Sequence, residues 1–139
     1  MTASELFAVM MIFSGGKHEG RANDLAHYLL DAAYESDVSP VELAAIAWKE
    51  SSYRVHAVGK AGELGALQVA PSSLKTWCEG RRVGHVPTKI GHVRCGAYLF
   101  ALARAKCPTH PFTAYHTPSH CGPSQYETRI RNTLKKAGL

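Results

Sequence analysis

Leu43, Ile46, Ala47 and Glu50 stand at i, i+3, i+4 and i+7, the spacing of one face of an α-helix. The first three are apolar and turn that face toward a core, so Glu50 projects from the core side at the helix's last turn. Two effects then act on its carboxyl. Partial burial disfavours the charged form, and so does the negative end of the helix dipole; both raise the pKa. A carboxylic acid still protonated near neutral pH can give its proton to a leaving group. The plainer alternative is a frayed helix end with Glu50 in water, and from this residue alone the two readings stand level. A second concentration of reactive groups is Cys107, His110, His116, His120 and Cys121, which fall within fifteen residues. Thiolates and imidazoles suit zinc, but no standard zinc finger has this order and Pro108, Pro111 and Pro118 stiffen the segment. No metal is therefore assigned. The preferred reading is solvated histidines with bridged cysteines, Cys107 to Cys121 and Cys78 to Cys95. Four cysteines allow three pairings, and four free thiols as well.

The elements that must position Glu50 read as helices throughout. Ser4 can cap a short apolar helix to about Phe13, stopped by Ser14-Gly15-Gly16. Asn23 or Asp24 starts a second, with Leu25, Tyr28, Leu29, Ala32 and Ala33 at helical spacing. Ser39-Pro40-Val41-Glu42 gives the Glu50 helix a cap, a proline in its first turn and a capping-box glutamate; it runs to about Ser52. A loop with Gly59, Gly62 and Gly65 follows, then the short piece Ala66-Leu67-Gln68-Val69. Pro71 and Ser72 start a helix to Trp77 or Cys78, and Glu79 to Pro87 reads as loop. Thr88 to Lys106 is a long helix despite Gly91 and Gly96, with Val93, Ala97, Phe100 and Ala101 on one face. The four prolines between Cys107 and Pro123 force an irregular segment, with one turn around Ala114-Tyr115. Ser124-Gln125-Tyr126-Glu127 is a second capping box, opening a helix striped by Tyr126, Ile130 and Leu134. No run alternates as a strand does.

Glu50-Ser51-Ser52-Tyr53, then Ala57, Gly62, Gly65, Gln68, Val69 and Pro71, resembles the catalytic motif of bacterial and phage lytic transglycosylases with a lysozyme-like fold. That family's pattern is Glu-Ser-x-Phe…Ala…Gly-Ala-x-Gly-Leu-Met-Gln-Val-x-Pro, with the same glutamate-to-glutamine spacing. Ala114-Tyr115-His116 is similar to its downstream Ala-Tyr-Asn, and Tyr126 more loosely to a tyrosine in its last helix. The resemblance implies a mainly α, lysozyme-like single domain over 1–139, its motif-bearing core at about 39–131, with a cleft between the Glu50 helix and the Tyr115 loop. It implies cleavage of the β-1,4 bond between N-acetylmuramic acid and N-acetylglucosamine in peptidoglycan, with Glu50 as single acid/base, 1,6-anhydro ends as product and no cofactor. Gln68 is implied to contact substrate and Tyr115 to hydrogen-bond near the carboxylate. Ser51, Glu63 and Tyr126 join them as binding-site candidates. Local bracing is the favoured role for Ser51, less so for Gln68, while Tyr115 could equally be a core aromatic.

Three departures bear on the chemistry. Gly59 stands where the family commonly has a serine whose hydroxyl holds the N-acetyl group. His116 replaces asparagine. Glu63 replaces alanine, and a second carboxylate in the cleft could activate water, as in goose-type lysozymes, giving a hydrolytic muramidase. A solvated loop position for Glu63 is the favoured reading. A wall-binding module without activity is a further alternative, because fold alone does not fix function.

Length and charge limit the rest. The 139 residues suit one domain, and 45% hydrophobic against 19% charged residues argues against disorder. The net charge of +5 suits a polyanionic partner. The basic residues are scattered, the densest runs being Arg81-Arg82 and Lys135-Lys136, so no specific nucleic-acid partner is expected. No apolar run reaches the ~18–20 residues of a membrane span. The run Leu6 to Phe13 lacks the positive start of a secretory signal. Action at the periplasm or cell wall then fits a phage enzyme, carried among virion proteins or released at lysis, or equally a trimmed secreted one.

Overall fold

Alanine-rich α3 (Pro40–Ser51) lies at the centre of the molecule, and its sequence explains why. Leu43, Ala44, Ala45, Ile46 and Ala47 are all buried, so the helix is enclosed nearly all round rather than on one face. The small alanines let its neighbours approach closely: α1 (Ala3–Phe13) and α2 (Glu19–Ser36) pack on it from one side and α7 (Gln125–Lys136) from another. The computed structural model describes residues 1–79 and 88–139. Among these, the remaining helices are α4 (Pro71–Ser73), continuing into a π-helical turn over Leu74–Cys78, α5 (Lys89–Lys106) and α6 (Pro111–His116). The only β pairings among the described residues are isolated bridges, Val58 with Leu64 and Leu64 with Val69. Among the described residues the fold is mainly α, as the sequence reading expects.

Several helix ends differ from their sequence signals. The α1 cap is Thr2, not Ser4, because Thr2 and Glu5 form a reciprocal capping box: Glu5 N donates to Thr2 Oγ1 at 3.1 Å and Thr2 N to Glu5 Oε2 at 2.7 Å. Helix α2 begins at Glu19, a turn before Asn23, since Ala22 extends the buried stripe of Leu25, Ala26, Leu29, Ala32 and Ala33 backwards. Both boxes expected at Ser39 and Ser124 are half made. Each serine accepts from the backbone N–H three residues on. Their glutamates pair elsewhere, Glu42 with Arg104 on α5 and Glu127 with Arg131 one turn along α7. The loop expected over Glu79 to Pro87 falls, Glu79 apart, outside the described residues, as does Arg81-Arg82. Glu79 itself continues the helical turn, donating its backbone N–H to Leu74 O.

Two disulfides fasten the second half. Cys78–Cys95 joins the π turn to α5, and Cys107–Cys121 closes the chain around α6. The second bond occupies both sulfurs of the alternative zinc set. Gly96 has a packing reason: a Cβ there would stand 2.5 Å from Leu67 Cδ1, so only glycine lets α5 lie against the Leu67-Gln68 turn.

A thiol titration of denatured, unreduced protein is expected to find no free thiol, and four after reduction. Each bridge closes a span of 17 or 14 residues. Replacing either cystine by two serines should cost about 2–4 kcal/mol of stability, read by chemical denaturation.

Candidate active site

The last turn of α3 emerges from the core at Glu50. Beyond it Ser52 and Tyr53 both take left-handed backbone conformations (φ 51° and 67°), which reverses the chain. Tyr53 anchors the reversal: fully buried, it donates its hydroxyl to Met10 O at 2.7 Å and packs on Trp48 with ring centroids 5.2 Å apart. Ser51 is also buried, with Oγ 2.8 Å from Ala66 O and 3.1 Å from Ala47 O. It ties the helix end to the start of the Ala66–Val69 turn and does not line the cleft.

That turn is braced again from inside. Gln68 sits at φ 52°, and its Nε2 donates to Gly65 O at 2.9 Å and Ala57 O at 3.3 Å. A nitrogen surrounded by carbonyls fixes the amide orientation and leaves Oε1 facing outward. From α6, Tyr115 donates its hydroxyl to Leu67 O at 2.7 Å, so the turn is held between α3 and α6.

A cavity of about 680 Å³ opens beside these groups. Glu50, Glu63, Gln68, Tyr115 and His116 line its polar side; Trp77 from the π turn and Leu99, Leu102 and Lys106 from α5 line the opposite wall. Three of the five binding candidates read from sequence thus reach the cavity together: Gln68, Tyr115 and Glu63. Glu63 is partly buried against the loop rather than freely solvated. Tyr126 lies behind them. Its ring stacks on His116 with centroids 4.3 Å apart, and its buried hydroxyl has no hydrogen-bond partner.

The sequence reading missed the α5 wall. Leu99, Leu102, Ala103 and Lys106 have the same i, i+3, i+4, i+7 spacing that singled out Glu50, and that was the signal available.

The electrostatics centre on Glu50. Burial pushes its carboxyl up to about 7; the Lys49 ammonium pulls the other way and the Glu63 carboxylate adds to the rise. Tyr115 and Tyr126 are pushed up mainly by burial and further by Glu50, which places both hydroxyls within its field. His116 is pushed down by burial and by Lys49. The arrangement is one protonatable carboxyl at the side of a long, partly apolar groove, with amide and phenol groups around it. Among the described residues no group of three or more acidic, histidine or cysteine side chains is placed to hold a metal.

One comparison bears on this arrangement: residues 27–89, which contain Glu50, Glu63 and Gln68, match the family model of the transglycosylase SLT domain. The match supports kinship of this segment with the lytic transglycosylases of the lysozyme-like superfamily. Nothing among curated proteins or solved structures matches the chain. The match supports a function of the lytic-transglycosylase type and implies peptidoglycan as substrate and action at the cell wall. No helix among the described residues is long and apolar enough to cross a membrane.

Because the folded state holds the Glu50 proton more tightly than a free glutamate, whose carboxyl titrates at 4.5, does, its stabilising effect is complete below that pH. It is lost as pH rises through about 7. Glu50→Gln avoids the buried charge. It should be more stable than the wild type at pH 8 by about 1–2 kcal/mol after allowance for solvent screening, with the difference vanishing near pH 4 in thermal melts.

Proposed function

We propose that Glu50 is the single catalytic acid/base of a peptidoglycan lytic transglycosylase. The observation that carries the reading is a carboxyl raised to about 7 by burial on the wall of the 680 Å³ groove. Such a group is protonated often enough at neutral pH to act as an acid and basic enough afterwards to act as a base.

The step balances without water. Glu50 protonates the glycosidic oxygen as the bond to the muramic anomeric carbon breaks, and the leaving sugar departs as an alcohol. The carboxylate then takes the proton of the muramic 6-hydroxyl while that oxygen bonds to the anomeric carbon. The enzyme regains its proton and the glycan ends in a 1,6-anhydro ring. The substrate's own N-acetyl group shields the cationic centre between the two halves, so a second carboxylate is not required; this departs from the two-carboxylate pattern of most glycosidases.

Around this acid, Gln68 and Tyr115 serve chiefly by holding the turn that faces the substrate. Tyr115 spends its only proton on Leu67 O, so toward a protonated Glu50 its oxygen can only accept. Tyr126 brings an unspent hydroxyl into the same field. The apolar wall with exposed Trp77 suits the flat faces of sugar rings.

Purified peptidoglycan digested with this protein should release fragments that mass spectrometry identifies as 1,6-anhydromuramic. Hydrated reducing ends would replace this reading by a hydrolase using Glu63 to activate water. Glu50→Gln should fold and lose at least a thousandfold in rate, roughly the loss expected of an essential acid. Activity should fall as pH rises through about 7, where the acid ionises. Release of glycan by Glu50→Gln at wild-type rate would overturn the assignment.

A further inference from the structure

We infer that Lys106 is a specificity-determining residue of the groove, its ammonium receiving a carboxylate carried by the substituent on the muramic sugars. The inference rests on the groove being a glycan site and adds which strands that site prefers. Among the described residues that line the cavity, Lys106 is the only lysine or arginine, and it stands on the α5 wall. Glu50 and Glu63 lie on the other side. The charges that shift Glu50 are those of Lys49 and Glu63, so the Lys106 ammonium is not committed to the acid. The groove is therefore polarised across its width, acidic on one wall and cationic on the other.

The ammonium is held in place without being neutralised. Its Nζ donates to Pro118 O at 2.7 Å, which ties the end of α5 to the segment after α6 that the Cys107–Cys121 bond closes. A carbonyl takes one of the three N–H donors and none of the charge. Arg94, Arg104 and Arg131 each have a glutamate partner, whereas among the described residues no carboxylate pairs with Lys106. Leu99, Leu102 and Ala103, on the same helix, cover the wall beside it. A low-dielectric wall of this kind focuses the field of a charge into the cleft.

The substrate can supply the anion that the protein does not. Of the two sugars in a peptidoglycan strand, N-acetylglucosamine has no ionisable group. The muramic sugar carries a lactyl ether, whose acid end is either a free carboxylate or the anchor of a stem peptide with carboxylates of its own. Either oxyanion is repelled by Glu63 and drawn to Lys106, where two N–H donors remain. A neutral hydroxyl or acetamide gains there only a hydrogen bond that water matches. An anion gains the charge as well. Lys106 thus favours strands with an acidic substituent over a neutral glycan and turns that substituent toward α5.

The test uses Glu50→Gln protein, which binds without turnover, and three β-1,4 tetrasaccharide probes. One is built of N-acetylglucosamine alone. The others alternate it with N-acetylmuramic acid, one with free lactyl groups and one with stem peptides attached. Affinities are read by titration calorimetry at low ionic strength. Adding Lys106→Met keeps the apolar stem without the charge, and the exposed position tolerates the change. It should weaken at least one acidic probe roughly fivefold, the upper size of an exposed ion pair, and leave the neutral probe within about twofold. Lys106→Arg should restore the loss, and about 1 M salt should erase the difference. Weakening of the free-lactyl probe names the lactyl carboxylate as the contact; weakening of the peptide-bearing probe names a carboxylate of the stem. No loss for either acidic probe, equal loss for all three, binding of none, or failure of Lys106→Arg to restore would overturn the inference. Peptidoglycan digestion by the wild type separates the two ideas: no release defeats the glycan reading itself, whereas release with no selective loss in Lys106→Met defeats only the role of Lys106.

Discussion

Desolvation of one carboxyl is the constraint on which the site depends. A helix enclosed on nearly every side must end somewhere, and α3 ends with Glu50 half inside the core it has just left. The alanines that let α1, α2 and α7 close on α3 are thus also what strips water from the acid. Lys49, next before it in the chain, opposes the effect, and Glu63, on the same polar side of the groove, reinforces it. The resulting value near 7 is a balance in which burial dominates.

Around that acid the fold spends its polar groups on rigidity. Ser51, Gln68 and Tyr115 all direct donors at backbone carbonyls of the Ala57–Leu67 stretch. A turn with little regular secondary structure of its own is thereby fixed from three sides, which matters because groups facing a substrate must already hold their places when it arrives. Gly96 completes the arrangement by letting α5 close against Leu67.

Much of this was legible in the sequence. The i, i+3, i+4, i+7 spacing ending in Glu50 located the acid, because burial of a helix face is a local pattern. The elements containing proline, serine caps and glycine stops fell near their expected places. What was not legible depended on partners far along the chain. Glu42 reads as a capping-box residue until Arg104, on another helix, claims its carboxylate. Glu63 reads as a solvated loop residue because nothing local says that Gly59 leaves a gap for it. The cleft wall on α5 was passed over since the stripe of Val93, Ala97 and Phe100 already accounts for docking that helix. A second stripe, whose Leu99 and Ala103 pack in small clusters apart from the main core, acquires meaning only when the groove is seen.

The two cystines have a bearing on where the molecule can mature. One fastens the segment carrying Trp77 to α5, and the other encloses the short helix bearing Tyr115 and His116. Both rims of the groove, though not the α3 acid between them, are thus welded by oxidation. In a reducing compartment the same polypeptide would keep its acid but lack the covalent frame that sets the jaw's width. The raised carboxyl lies in the first half of the chain, and the cystines that frame the cavity beside it lie in the second, completed once the thiols meet an oxidant.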